Sequence, residues 1–336
     1  MEFLGLSADT SQRRGNGLRI DRRKDGAIKP KKAKLSSGKR VTRLKRTAAR
    51  IKAILRHSAL TGTPIWLSGG RLSEPHPNKL PVHVERTIVI PHMPDAFDGL
   101  RIVHLSDMHI GQLITPAHLP GIIENCKKLN GDMIAITGDY IDLSQSVLDD
   151  VISAIKLLDA PLGVHLVPGN HDYLENGPRL VRRFRNAGMG LMLNTSRVIE
   201  HRNKRILIAG VDYAHHRLER DQYVRQVMTQ ARGQGQFDLN LLLAHHPDAF
   251  DEACRQGVDV TLSGHTHGGQ VILKHTKGAR GSIGLGAMAF KYPRGLYQRG
   301  HRHLHVTSGV GSWFPLRVQC PSEIVTLTLR TDGQTQ

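Results

Sequence analysis

An α/β fold with two packed β-sheets and helices on the outside is what this 336-residue sequence predicts, on three observations. From residue 81 onward, short apolar runs alternate with helical patterns, the texture of α/β layering. Most of these runs are apolar without alternation, which marks strands covered on both faces. They are also too numerous for one ordinary sheet.

In chain order the predicted strands are 82–90 (VHVERTIVI), 101–106 (RIVHLS), 133–137 (MIAIT), 164–167 (VHLV) and 205–211 (RILIAGV). They continue with 239–244 (LNLLLA), 259–263 (DVTLS), 303–307 (HLHVT) and 323–329 (EIVTLTL). Helical spacing is seen around 117–129, 146–158, 178–187 and 217–231. No internal repeat is present.

The region before residue 81 has different physics. Lys and Arg number 47 against 29 Asp and Glu, a formal charge of +18. Residues 1–60 hold 18 of those cations and four acids, so +14 sits there and the other 276 residues carry only +4. Residues 5–40 are basic and rich in Gly and Ser, a composition that predicts disorder. In 41–60, Val41, Leu44, Ala48, Ile51, Leu55 and Ala59 fall on one helical stripe flanked by Lys45, Lys52 and Arg56. Such a basic amphipathic helix suits an anionic membrane surface. Docking on its own domain and phosphate contacts to nucleic acid are the alternatives. Residues 61–80 read as a Pro/Gly linker. The expected organisation is therefore an extension and linker over 1–80 and a catalytic domain over 81–330.

No apolar stretch reaches the roughly 18 residues needed to span a bilayer, and the N-terminus lacks the order of a signal peptide. Cys126, Cys254 and Cys320 form no CxxC pair, so neither a disulfide framework nor a zinc ribbon is expected. A reducing cytoplasm fits.

Five strands run directly into polar residues able to bind a metal. These are Asp107-Met108-His109, Gly138-Asp139-Tyr140-Ile141-Asp142, Gly169-Asn170-His171-Asp172, His245-His246-Pro247, and Gly264-His265-Thr266-His267-Gly268-Gly269-Gln270. Singly, each has an ordinary structural explanation as a turn, a helix cap or a histidine pair on a strand. Chance does not produce all five, each at a strand end, where α/β folds carry their chemistry. Imidazole, carboxylate and amide oxygens suit Mn²⁺, with Zn²⁺ or Fe as alternatives, and no thiolate is present to favour structural zinc. Two close divalent ions share a bridging carboxylate and can hold both oxygens of an in-line displacement at phosphorus.

The run DMH, GDYID, GNHD, HHP and GHTHGGQ over residues 101–270 resembles the five-block signature of the calcineurin-like metallophosphoesterases. The resemblance implies a four-layer αββα sandwich of two mixed sheets flanked by helices. It further implies that Asp107, His109 and His267 bind one metal, that Asn170, His245 and His265 bind the second, and that Asp139 bridges them. His171 is implied to contact the phosphoryl group, stabilising charge or protonating the leaving oxygen. Asp142 and Asp172 are expected to orient ligands or the His171 imidazole. Attack by metal-bound hydroxide is implied. His245 is preferred to His246 because the first His of the block matches the family ligand. His215 and His216 are expected at the cleft edge or in solvent, and the alternating His301, His303 and His305 are read as structural.

Within the family, the extended GHTHGGQ block with Gly295-Leu296-Tyr297, Ser308–Gly311 and Pro321-Ser322-Glu323 resembles the bacterial membrane-associated YaeI/YkuE-type branch. That branch includes UDP-2,3-diacylglucosamine pyrophosphatases of lipid A synthesis. The implied activity is hydrolysis of a phosphodiester or pyrophosphate on a lipid-linked substrate, at the inner face of the membrane, with peripheral association and no obligate protein partner. Trp313 and Phe314 are candidates to meet an acyl chain or bilayer, or to pack on the core. Arg280, Lys291 and Arg294 are candidates for a diphosphate, with ordinary surface charges as the equal alternative. A nuclease or nucleotide phosphodiesterase holding nucleic acid on its basic tail is the rival enzyme reading. A non-catalytic scaffold is the third.

Overall fold

The computed structural model describes residues 47, 48, 50–52, 54, 55, 58–69, 80–275, 282–312 and 314–332, all inside one compact unit, Leu44–Gln336. The stretch 5–40, the stripe residues Val41, Leu44, Lys45 and Arg56, residues 70–79 of the 61–80 linker, Arg280 and Trp313 lie outside the described residues.

Among the described residues there are thirteen strands. They are β1 (Val82–Val89), β2 (Arg101–Leu105), β3 (Met133–Ile136), β4 (Val164–Leu166), β5 (Thr195–His201), β6 (Lys204–Gly210) and β7 (Leu239–Leu243). The rest are β8 (Val260–Ser263), β9 (Ile272–His275), β10 (Ser282–Gly284), β11 (Gly295–Arg299), β12 (Arg302–Val306) and β13 (Glu323–Arg330). One sheet has the order β1-β13-β2-β3-β4, the other β11-β12-β8-β7-β6-β5, and β9 pairs with β10. Both large sheets are mixed: β2, β3 and β4 run parallel while β13 is antiparallel to β2, and β6, β7, β8 and β12 run parallel between antiparallel edges β5 and β11. The α-helices are α1 (Thr63–Leu67), α2 (Leu119–Lys128), α3 (Leu148–Ile155), α4 (Gly177–Asn186), α5 (Arg217–Arg232), α6 (Ala249–Arg255) and α7 (Leu285–Ala289).

Successive strand residues point to opposite faces, and here both faces are dry. Ile102, Met133, Ala135, Val325 and Leu327 meet Ile206, Ile208, Leu241, Leu243, Val260 and Leu262 between the sheets. The neighbours Val103, Leu105, Ile134 and Ile136 turn outward onto Ile122, Cys126, Val151, Ile155 and Phe184 of α2, α3 and α4. On the far side Leu207, Ala209, Leu242 and Ala244 pack under Val224, Val227, Met228 and Ala253 of α5 and α6. Three dry seams separate four layers, which explains why the central strands read as unbroken apolar runs.

Two expectations change. Residues 61–67 are helical rather than linker: a wide helical turn over Ser58–Gly62 leads into α1, where Pro64 fits the first turn and Ile65 is buried. The edge strands β5 and β11 were not predicted, because TSRVIEH and GLYQR are half-exposed and polar. Residues 47, 48, 50–52, 54 and 55 are helical as predicted, and all are exposed.

Candidate metal centre

The five polar blocks meet at the strand ends. Asp107 and His109 follow β2, Asp139 follows β3, Asn170 and His171 follow β4, His245 follows β7, and His265 and His267 follow β8. To leave their strands so abruptly, Asp107, His109, Asp139, His265 and His267 adopt positive φ of 52°, 44°, 54°, 72° and 50°. Each costs about 1 kcal/mol or more in a non-glycine residue. The fold overrides that cost at five positions of one site.

The donors converge in two overlapping groups. In the first, His267 Nε2 lies 3.1 Å from His109 Nε2 and 3.3 Å from Asp107 Oδ1, and His109 Nε2 lies 3.8 Å from Asp107 Oδ1. In the second, Asn170 Oδ1 lies 3.0 Å from His245 Nε2 and 2.8 Å from His265 Nδ1, which are themselves 3.2 Å apart. Asp139 Oδ2 belongs to both, 3.4 Å from His109 Nε2 and 3.3 Å from His245 Nε2.

Tautomers decide what these contacts are. His245 Nδ1 donates to the Thr137 carbonyl at 2.7 Å and His267 Nδ1 to the Gly311 carbonyl at 3.2 Å. His109 Nδ1 faces Asp142 Oδ1 at 3.7 Å. In their neutral forms, with the protons of His245 and His267 on the outer nitrogens, the inner nitrogens present lone pairs to the neighbouring imidazole, carboxylate and amide donors. Lone pairs gathered in this way need cations between them, and backing each imidazole with an outer acceptor is how histidine ligands are oriented. Donor separations of 2.8–3.8 Å bracket the edges of a coordination polyhedron with bonds of about 2.0–2.2 Å. The residues therefore fit two divalent ions.

The electrostatics carry the same signature. Burial opposes charge on His109, but Asp107, Asp142 and Asp139 outweigh it and hold the imidazole at about 10. Burial is likewise overcome at His245 by Asp139, which holds it at about 9. Burial and the neighbouring His245 push His265 down to about 3. For Asp139, burial is outweighed by His245 and His171, which keep the carboxyl well below its usual range. Clashing demands for protons in one buried cluster are what divalent cations resolve.

Around the ligands stand the supporting groups. The Asp172 carboxylate serves backbone groups rather than the His171 ring: buried, it accepts the N–H of Gly169 at 2.7 Å, Asp139 at 3.0 Å and Tyr140 at 3.0 Å, fixing the loop that carries Asp139. Asp142 is the residue beside His171, whose Nδ1 donates to the Asp142 carbonyl at 2.8 Å and lies 3.4 Å from its carboxylate. The His171 backbone N–H donates to Asp139 Oδ1 at 2.7 Å. His246 stands outside the two donor groups: its ring lies tilted against His265 with centroids 4.6 Å apart, and its Nδ1 accepts the Asp248 N–H at 3.2 Å.

Other expected residues sit elsewhere. Arg294 is not available to a diphosphate: its guanidinium is paired at 2.5 Å with buried Glu323, because β13 begins there with a carboxylate that needs a cation. Lys291 is held by Asp251 at 2.6 Å. Phe314 is half-buried, and its carbonyl accepts Gln270 Nε2 at 2.9 Å. His215 and His216 are exposed, while His303 and His305 are buried on β12, with His305 Nδ1 3.0 Å from His104 Nδ1.

One supporting residue had no signal in the sequence. The Arg317 guanidinium, deep under the site, donates to the carbonyls of Ser308, Gly311 and Cys320 and lies 3.3 Å from His267 Nδ1. It sits in an irregular loop outside every motif.

A family model, calcineurin-like phosphoesterase, matches residues 100–269. The chain is 31% identical over 282 residues to the uncharacterized metallophosphoesterase YkuE of Bacillus subtilis (strain 168), covering 81% of this chain and 94% of that one. It is 26% identical over 236 residues to phosphodiesterase YaeI of Escherichia coli (strain K12), covering 68% and 82%. It is 30% identical over 292 residues to a zebrafish (Danio rerio) transmembrane protein with metallophosphoesterase domain, covering 81% of this chain and 62% of that protein.

Proposed function

This chain belongs to the calcineurin-like phosphoesterases, a family of metal-dependent hydrolases, and from that premise we propose that it hydrolyses a phosphodiester or pyrophosphate bond of a lipid-linked substrate such as UDP-2,3-diacylglucosamine. The observation that carries the hydrolytic part is Asp139 Oδ2, shared at 3.4 and 3.3 Å between the two donor groups. Asp107, His109 and His267 would hold one ion, Asn170, His245 and His265 the other, with Asp139 placed to serve both. Mn²⁺ suits this oxygen-and-imidazole set. Divalent ions held there would supply an activated water and charge neutralisation at the phosphoryl group.

The chain's own residues do the rest. His171 keeps its Nδ1 proton on the Asp142 carbonyl, which leaves Nε2 to exchange a proton with the leaving oxygen. Asp142 holds the imidazoles of His109 and His171 in one orientation, and Asp172 holds the Asp139 loop. The buried walls exclude competing water and strengthen each polar contact with the phosphoryl oxygens.

The membrane part has separate support. The helical residues Ile51 and Leu55 are 52% and 65% exposed, and Trp66 and Leu67 of α1 are 77% and 71% exposed. With Arg50 and Lys52 also exposed, these side chains suit peripheral association with an anionic inner-leaflet surface. Among the described residues, no helix is long and apolar enough to cross a membrane.

A substrate panel tests the proposal: bis(p-nitrophenyl) phosphate, UDP-2,3-diacylglucosamine and single-stranded DNA, with Mn²⁺ and a His265→Ala control. Preferred turnover of the lipid-linked nucleotide is expected. Preferred cleavage of DNA, held by the +14 segment, would replace the substrate assignment with a nuclease.

A further inference from the structure

Phe290 stands at the border of the metal centre, its ring edge-on to His265 with centroids 5.8 Å apart. The same residue lines a cleft of about 700 Å³, within the size range of ligand sites. Phe250, Tyr292 and Tyr297 form an edge-to-face aromatic wall, with centroids 5.7 and 5.0 Å apart. Met288 and Leu296 add apolar lining, and they are 86% and 40% exposed. Apolar surface left facing water beside a reaction centre gains free energy when an apolar ligand covers it.

The wall is also cationic. Lys291 and Arg299 line the cleft and share one carboxylate, Asp251, at 2.6 and 2.8 Å, with their own side chains about half exposed at 51% and 49%. Arg217, which meets both Asp251 and Asp221, adds a third cation nearby. No Asp or Glu occurs anywhere between Asp259 and Glu323. The lining therefore carries more positive than negative charge. Its neutral polar groups are already engaged: Tyr292 Oη donates to Asp251, Tyr297 Oη to the Arg294 carbonyl, and Gln298 Nε2 to the Gly300 carbonyl. A nucleobase would find no donor aimed at its edge, whereas an acyl chain needs none.

We propose that this cleft is a lipid subsite. An acyl chain lies along Phe250, Met288 and Leu296, and an anionic headgroup oxygen meets Lys291 and Arg299. The subsite rests on the phosphoester reading of the metal centre only for the fate of the lipid, not for its binding.

Calorimetric titration of the full-length protein with monomeric dioctanoyl phosphatidylglycerol tests it, beside dioctanoyl phosphatidylcholine and UMP. The anionic lipid is expected to bind at least about tenfold tighter than the zwitterionic one. Met288→Asp, at a position too exposed to threaten folding, should weaken that binding at least about tenfold, and the double variant Lys291→Gln/Arg299→Gln should erase the headgroup preference. Unchanged affinity in Met288→Asp, or binding of UMP with both lipids silent, overturns the subsite. Turnover of bis(p-nitrophenyl) phosphate by the wild type is measured in parallel. Its absence with Mn²⁺ bound, together with no turnover of UDP-2,3-diacylglucosamine or single-stranded DNA, would overturn the hydrolase reading while the lipid titration still reports on the cleft.

Discussion

Replacing Gly264 with alanine adds one methyl group next to the metal centre, and the structure sets the size of the disturbance. The new Cβ would stand 2.0 Å from Asp107 Oδ2 and 2.0 Å from Ser106 Oγ, where ordinary contact begins at 3.4 Å. Neither neighbour is a loose chain end. The fully buried Asp107 carboxylate accepts the His265 N–H at 3.1 and 3.0 Å, and Ser106 Oγ donates to the Thr137 carbonyl at 3.2 Å. Relief requires a shift of 3.4 − 2.0 = 1.4 Å, against a tolerance of about 0.2 Å in metal–ligand distances. Asp107 then leaves its set with His109 and His267. Disturbing mere outer partners of ligands costs about 10–100-fold in metal affinity, so a displaced ligand should cost at least about 100-fold. Overpacking should also lower stability by about 1–3 kcal/mol. Equilibrium dialysis against Mn²⁺ with elemental analysis, together with thermal unfolding, measures both effects. Gly190→Ala, whose Cβ would meet nothing nearer than 4.0 Å, is the control. A Gly264→Ala protein that binds both ions as tightly as wild type would refute the reasoning.

The remaining predictions concern the proton sites, the buried ion pair and pH. His171→Ala should keep both ions, because its backbone N–H still serves Asp139, while kcat falls by about 10²–10⁴; loss of metal in that variant would show that the imidazole holds the site together rather than moving a proton. Arg294→Met should destabilise by about 3–5 kcal/mol in urea unfolding, by stranding the buried Glu323 carboxylate; a marginal loss would contradict the pairing. His109 at about 10 and His245 at about 9 carry protons at neutral pH until cations displace them. Mn²⁺ affinity should therefore rise with pH, by up to about 100-fold per unit for two protons, and titrations in buffers of different ionisation heat should count their release. Since both folded values lie above the ordinary 6.5, these groups stabilise the metal-free chain fully below about 6.5, and the contribution is lost as pH rises through about 9 to 10. A pH-independent affinity would contradict the assignment.

Much of the site was legible because its residues are tied to strand ends. A run such as MIAIT followed by Gly-Asp announces both a covered strand and a turn, and the family blocks assign each polar residue a role. What escaped was whatever depends on tertiary contact. Nothing in GNHD says that Asp172 reaches back to the backbone of Asp139. Arg317 lies in a loop of no motif, yet it braces the carbonyl beneath His267. Arg294 looked free in sequence because its partner, Glu323, is 29 residues away and starts a strand of the other sheet. The central strands were predicted from composition, whereas β5 and β11, at a sheet edge with mixed burial, carry no comparable pattern.

The central claim is that two ions, joined by Asp139, make this chain a hydrolase. Titrating metal-free protein with Mn²⁺ while following bis(p-nitrophenyl) phosphate turnover and bound metal together tests it most directly. The account predicts two ions per chain, with turnover appearing as the second is bound, and neither full occupancy nor turnover in Asp139→Asn. One ion per chain at saturation, or full turnover in Asp139→Asn, would contradict it.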